Sequence, residues 1–221
     1  PDLILSAPFP ITKKSLRRKL IRDITGQTGY QQRKAQIINA LGKREWPAEK
    51  RLGNFWKKLG RATVAQVVIF SILALSGHWY LYFVLWLLPF LTWQQVITRV
   101  RNIAEHAMIT DNNDDFRNAR TTKAGWLARA TLAPYWVNYH VEHHLMMWVP
   151  CYNLPRTQAF LIANGFGERM EFKNNFGDVL AMAASKPDNQ DEPGNLVHNA
   201  RKQHVSGIMN EGFKSADDKA A

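Results

Sequence analysis

The sequence predicts an all-α integral membrane protein, with one transmembrane hairpin, cytoplasmic helices that carry histidine ligands, and a disordered C-terminal tail. Three observations predict this class. No Asp, Glu, Lys or Arg occurs from residue 62 to residue 98, in a chain of 221 residues with 29 basic and 18 acidic side chains. The whole net charge of +11 lies in residues 1–61. Three of the seven histidines fall within residues 140–144.

The charge pattern orients the chain. A basic flank beside an apolar segment follows the positive-inside rule, which places residues 1–61 on the cytoplasmic side of the membrane. Residues 11–25 predict an amphipathic basic helix, which either lies among lipid headgroups or packs on its own protein. Gly26 and Gly29 are expected to break it before a second basic helix over about residues 31–59. Because no recognition motif accompanies the charge, we expect no nucleic-acid partner.

Residues 62–98 predict the transmembrane hairpin, with its turn at Gly77 and His78. A helix needs roughly 20 residues to cross the hydrocarbon core. The second half is long enough, whereas the first is short unless it includes residues 55–59. The alternative is a pair of buried helices in a soluble protein. Two crossings would return the chain to the cytoplasm, so residues 99–184 are expected there.

The remaining segment, residues 185–221, is polar, with proline, asparagine and mixed charges. That composition predicts a disordered tail, and its His198 and His204 are not expected to bind metal. The single cysteine, Cys151, excludes an intrachain disulfide and fits a reducing compartment.

The histidines predict a metal site. Residues i, i+3 and i+4 share a helix face, so the imidazoles of His140, His143 and His144 can converge on one ion. Asn102 and His106 have the same four-residue spacing after the second span and are the further candidate ligands. The alternatives for these positions are incidental histidines and a hydrogen-bonded residue at a helix end.

Other common sites do not match the sequence. A zinc protease needs His-Glu-x-x-His or His-x-x-Glu-His, and the Glu of HVEHH stands in neither place. No Gly-x-Ser-x-Gly elbow, Gly-x-Gly-x-x-Gly turn or P-loop occurs. Glu142 is better placed to orient a ligand than to bind metal.

The chain resembles the C-terminal half of the membrane fatty acid desaturase family. The resemblance rests on NYHVEHH followed by MMWVPCYNLPR, and on RNIAEHA and an apolar hairpin before them. The opening PDLILSAPFP resembles the segment after the family's second histidine box, so the likeness covers about residues 1–175. His140, His143 and His144 match the third box, and Asn102 and His106 match a pair found in some members. The two earlier boxes have no match, so we expect a C-terminal fragment that is inactive by itself.

The resemblance implies a centre of two iron ions, incomplete in this chain, that uses O2 to introduce a C=C bond into a lipid acyl chain. Arg99, Glu105 and Glu142 are expected to orient ligands. A ferredoxin or cytochrome-type protein is the expected electron donor, and the basic face of residues 13–58 is a possible dock for it. The alternatives are a hydroxylase or ketolase acting on a sphingolipid, alkane or carotenoid, and a non-catalytic membrane protein that binds zinc.

Overall fold

The computed structural model describes residues 9–109 and 114–187, so most of the predicted tail, including His198 and His204, lies outside the described residues. The described chain is mostly helical. The helices are α1 (Lys13–Ile24), α2 (Gln27–Leu41), α3 (Ala48–Leu75), α4 (Leu88–Leu91), α5 (Trp93–His106), α6 (Trp126–Thr131), α7 (His140–Leu145), α8 (Leu154–Ala163) and α9 (Phe176–Ala183). A π-helix (Tyr82–Leu87) precedes α4, and short 3-10 turns occur at Pro134–Trp136, Cys151–Asn153 and Gly167–Arg169.

The all-α prediction needs one correction. β1 (Thr121–Thr122) pairs in parallel with β2 (Phe172–Lys173), with Thr121 opposite Phe172. Strands of two residues are too short to show the alternation that identifies a strand in a sequence. This small sheet matters because β1 contacts the helix that begins with His140.

The described residues divide into two compact units. We call residues 18–96 the hairpin unit, and residues 9–17 together with residues 97–187 the histidine unit. The boundaries predicted from composition at residues 61 and 98 for the membrane segment, and at residue 184 for the polar tail, stay predictions.

In the hairpin unit, α3 is one unbroken helix of 28 residues, so the first apolar half does extend into the basic segment before it. The predicted second basic helix is wrong as a single element, because α2 ends at Leu41. Gly42 follows with φ of 75°, and α3 begins only after Pro47. Two helical stretches, Ala48–Leu75 and Tyr82–His106, are long and apolar enough to cross a membrane.

Few polar contacts join the two arms of the hairpin. The side-chain oxygen of Gln66 accepts hydrogen bonds from the Tyr82 hydroxyl at 2.8 Å and the Trp86 indole at 2.9 Å. Phe70 packs edge-on against Tyr82, with ring centroids 5.4 Å apart. Gln66 is thus a polar residue in an apolar segment of α3. Its side-chain oxygen is satisfied by two hydrogen-bond donors from the opposite arm of the hairpin.

The predicted helix break at Gly26 and Gly29 is only half right. Gly26 does separate α1 from α2, with φ of 78°, but Gly29 lies inside α2 and breaks nothing. A Cβ atom at Gly29 would lie 2.8 Å from the Cα of Leu91. The glycine is thus required for close approach of two backbones and not for a turn.

The histidine unit has a small apolar core with polar side chains enclosed beside it. Val141, Ala119 and Leu161 are buried, and Phe116 stacks on Phe166 at a centroid distance of 5.3 Å. The largest side chains that are fully enclosed include a guanidinium, a carboxyl group and two threonines: Arg120, Glu142, Thr121 and Thr122.

Candidate metal centre

Three histidines converge in the histidine unit. His106 is the last residue of α5, and His140 is the first residue of α7. The Nε2 atom of His140 lies 2.9 Å from Nε2 of His106 and 3.1 Å from Nε2 of His144. All three residues offer ligand atoms within 4.8 Å of one another.

Hydrogen bonding alone does not account for this geometry. The Nε2 atom of a neutral imidazole carries either one proton or one lone pair, so it makes one good hydrogen bond. His140 Nε2 has two nitrogen neighbours at hydrogen-bonding distance. Two nitrogens bound to one metal at about 2.1 Å are separated by about 3.0–3.4 Å for angles between square and tetrahedral. The observed separations lie close to that range, so the donor set fits a single metal ion.

The protonation state of His140 favours the same chemistry. Burial, together with the neighbouring His106 and His144 rings, lowers the pKa of His140 to about 2. A group with so low a pKa is neutral at physiological pH. Its lone pair is therefore available to a metal ion.

A carboxylate lies beside the three histidines. Glu105, on α5, pairs with Arg101 one turn earlier at 3.1 Å. Its other oxygen, Oε2, is 3.8 Å from His140 Nε2, beyond hydrogen-bonding distance. Glu105 thus lies next to the nitrogen donors, and its predicted role in orienting them stays a prediction.

Arg120 fixes the end of the helix that carries His106. Its side chain is fully buried and donates hydrogen bonds to the carbonyls of Ala107 and Met108 at 2.8 Å and of Ala104 at 3.3 Å. The last carbonyls of a helix have no partner within it and carry partial negative charge, so a guanidinium is well suited to them. Nε of Arg120 also contacts Glu171 at 3.4 Å.

The next residue, Thr121, fixes the second histidine helix. Its hydroxyl donates to the Glu142 carboxylate at 2.5 Å and accepts from the backbone N–H of Val141 at 3.2 Å. Glu142 also accepts from Gln158 of α8 at 2.7 Å. Burial raises the pKa of Glu142, although both hydrogen bonds oppose that shift.

The other predicted site residues have less direct positions. The His143 ring is exposed, and its centroid lies 5.9 Å from that of His140, outside the group of three. Asn102 is half-buried on α5, one turn before His106. Arg99 also lies on α5. The ligand roles of His143 and Asn102, and the orienting role of Arg99, stay predictions.

Sequence reasoning missed Arg120 and Thr121. An arginine followed by two threonines between helices reads as an ordinary exposed loop. The only available signal was that the pair lies midway between two histidine motifs, which does not predict burial.

Comparison with known protein families identifies the chain. The family model described as "Fatty acid desaturase" matches residues 2–168, which is 167 of the 221 residues. The chain therefore belongs to the fatty acid desaturase family, as its motifs indicated. No curated protein and no solved structure matches it. Family membership supports a desaturase-like oxidoreductase function and, with the two apolar helices, indicates association with a membrane.

Proposed function

We propose that this chain carries part of the iron site of an O2-dependent acyl-lipid desaturase. The observation that carries the proposal is the close approach of three imidazole nitrogens. His140 Nε2 lies 2.9 Å from His106 Nε2 and 3.1 Å from His144 Nε2. Such a donor set suits iron, and the family is one that uses two irons. His143 and Asn102 are proposed as further ligands on the same two helices.

When bound, the iron centre supplies the oxidation that removes two hydrogens from adjacent carbons of an acyl chain. Reducing O2 to two waters would take the two hydrogens of the acyl chain, two electrons from the donor protein and two protons from solvent. The residues of this chain hold and orient the site. The neutral imidazoles offer lone pairs, Arg120 holds the end of α5, and Thr121 with Glu142 holds α7.

We also propose where the protein lies relative to the membrane. The helices Ala48–Leu75 and Tyr82–His106 would cross a bacterial-type inner membrane and leave the histidines on its cytoplasmic side. There the site could meet an acyl chain from the bilayer and a ferredoxin or cytochrome-type donor from the cytoplasm. The basic residues between 13 and 58 are the proposed dock for an acidic donor.

The test is the metal content of the full chain purified from membranes, with and without His140. We expect iron to be lost in His140→Ala, because the Nε2 atom of this residue is the one that lies close to both of the other histidine nitrogens. The matched control is His78→Ala, since His78 is exposed and its side chain contacts Ser76 at 3.4 Å. Equal iron in both variants would contradict the proposed site. Zinc without iron would favour a non-catalytic zinc protein instead.

Because the chain by itself is expected to be inactive, the possible reactions are separated by lipid mass spectrometry of cells that express it together with a segment carrying the family's two earlier histidine boxes. A desaturase product is lighter than its substrate by two hydrogens, whereas a hydroxylase or ketolase product has gained oxygen. A gain of oxygen would replace the desaturase assignment but leave the metal site intact.

A further inference from the structure

The histidine unit exposes large aromatic side chains on one group of neighbouring elements. Trp126 is 81% exposed, Trp148 79%, Tyr135 75% and Tyr152 64%, and Met147 is similarly open at 71%. Single exposed apolar residues are common, but five this large in a stretch of 27 residues are not. We call these five residues the aromatic surface.

Their elements adjoin one another. Trp126 begins α6, which packs against the turn that contains Tyr135. That turn packs against the one that contains Tyr152, and Met147 and Trp148 lie in the loop leading into it. The aromatic surface is therefore a local feature of the histidine unit and not a set of scattered side chains.

The exposed charges in the stretch of chain that carries the aromatic surface have one sign. Glu142 is the only acidic residue between Phe116 and Gly167, and its side chain is fully buried. The exposed charged side chains from residue 123 onward in this stretch are Lys123, Arg129 and Arg156. The described acidic side chains of the next segment, Glu168 and Glu171 among them, follow after residue 167. Tryptophan and tyrosine beside basic residues, without acids, are the composition of proteins at an anionic membrane interface.

We propose that the aromatic surface lies in the headgroup layer of an anionic bilayer. The indole and phenol groups can then bury their rings among acyl chains and keep their polar atoms near water, while the basic side chains meet lipid phosphates. This contact is additional to the proposed membrane crossing by the hairpin. It does not depend on metal or on the desaturase reaction.

Nitroxide accessibility on the full chain tests the proposal. The chain is reconstituted in nanodiscs of phosphatidylcholine and phosphatidylglycerol, with Cys151→Ser removing the single native thiol. A spin label is then placed through Trp126→Cys or Trp148→Cys. The control label is placed through Asn174→Cys, because Asn174 is exposed in the same unit but lies outside the stretch that carries the aromatic surface. Collision rates are measured with O2, which concentrates in lipid, and with a nickel chelate, which stays in water.

Labels at 126 and 148 should show high O2 collision and a several-fold lower nickel collision than the label at 174. High nickel collision at 126 and 148 would show an aqueous surface and overturn the proposal. Low collision with both reagents would show that protein covers the surface, either a second copy or another segment, and would overturn it as well.

A charge variant checks the lipid specificity. Lys123→Gln with Arg156→Gln removes two exposed charges for which the structure shows no side-chain partner among the described residues. In the unsubstituted chain, raising the phosphatidylglycerol fraction should draw the label at 126 deeper, and the double variant should respond less. An equal response in both proteins would contradict the role of the basic residues in holding the surface on anionic lipid.

Discussion

The hairpin unit and the histidine unit reverse the usual placement of polar and apolar groups in different ways. In the hairpin unit apolar side chains face outward, with Leu75 89% and Leu85 67% exposed. In the histidine unit Arg120 and Glu142 are completely enclosed. The first arrangement suits a protein surrounded by lipid, and the second is costly unless every buried charge has partners.

The difference shows what each unit has to hold in place. The hairpin unit needs close contact between helices, and Gly29 and the acceptor oxygen of Gln66 provide two of these contacts. The histidine unit must bring ring nitrogens from two separate helices together, and short hydrogen bonds fix atoms more narrowly than apolar packing does. Four substitutions break or sharpen this comparison, and the largest effect is expected in the histidine unit.

Arg120→Met should be the most damaging. It removes the donors to the carbonyls of Ala104, Ala107 and Met108 and leaves Glu171 without this cation. Removing one partner from a buried charged network costs about 3–5 kcal/mol of unfolding free energy. The measurement is denaturant unfolding of the full chain in detergent, together with the absorption of cobalt(II) bound at the histidines. We expect the cobalt spectrum to be weakened or lost.

The control for this variant is Arg117→Met. Arg117 donates one hydrogen bond, to the Arg169 carbonyl at 3.3 Å. Its loss should cost about 1 kcal/mol or less and leave the cobalt spectrum unchanged. If the two arginine variants behaved alike, the buried network would not be what holds α5.

Gly29→Ala should be the next most damaging, and it acts on the hairpin unit. The added methyl group would press on the backbone of Leu91, which cannot move aside as a flexible side chain would. Overpacking of this kind costs typically about 1–3 kcal/mol. Gly53→Ala in α3 is the matched control, because nothing lies within 4 Å of the added atom. It should stabilise the helix by up to about 1 kcal/mol, and a similar loss in both variants would rule out the close approach.

Gln66→Leu should have a smaller effect in the same unit. It leaves the Tyr82 hydroxyl and the Trp86 indole without their shared acceptor. Hydrogen bonds between helices in membranes contribute roughly 0.6 kcal/mol each on average, so a loss of about 1 kcal/mol is expected. A double-mutant cycle with Tyr82→Phe measures the contact itself. Zero coupling energy would show that the pair does not stabilise the hairpin.

Tyr135→Asn should be slightly stabilising. Tyr135 has φ of 55°, a left-handed conformation that costs roughly 1–2 kcal/mol for an ordinary residue and that asparagine adopts more readily. Tyr152→Asn is the control, because this exposed tyrosine also lies in a 3-10 turn but is not among the residues with positive φ. Measured in one detergent, a gain of up to about 1 kcal/mol is expected only for Tyr135. Equal changes in the two variants would mean that the loss of the tyrosine side chain, and not relief of backbone strain, determines the change in unfolding free energy.

The sequence predicted the features that repeat or persist along the chain. The uncharged run over 62–98 predicted two long apolar helices. The spacing of His140, His143 and His144 predicted one shared face, and of these three the rings of His140 and His144 converge whereas that of His143 lies outside the group. Convergence with His106 was predicted as well, because the resemblance placed both motifs in one site. Each of these signals arises from several residues of one type.

The features that were missed depend on single residues and distant contacts. Nothing beside Arg120 in the sequence shows that a helix end 13 residues earlier will cover it. Gly29 was predicted to break a helix, since its contact with Leu91, 62 positions away, has no local sign. Glu142 was expected to orient a ligand, but its contacts with Thr121 and Gln158 could not be predicted from its own motif.

Arg120 and Thr121 are adjacent in the chain and together fix the spacing between α5 and α7. Arg120 holds the end of α5, and Thr121, one peptide bond later, holds the start of α7. The rise of an extended chain is about 3.3 Å per residue, and successive side chains point to opposite sides. A single inserted residue at this junction would therefore turn one of the two anchors to the wrong side. The spacing of two helices that are distant in sequence thus depends on two adjacent residues that lie on neither helix.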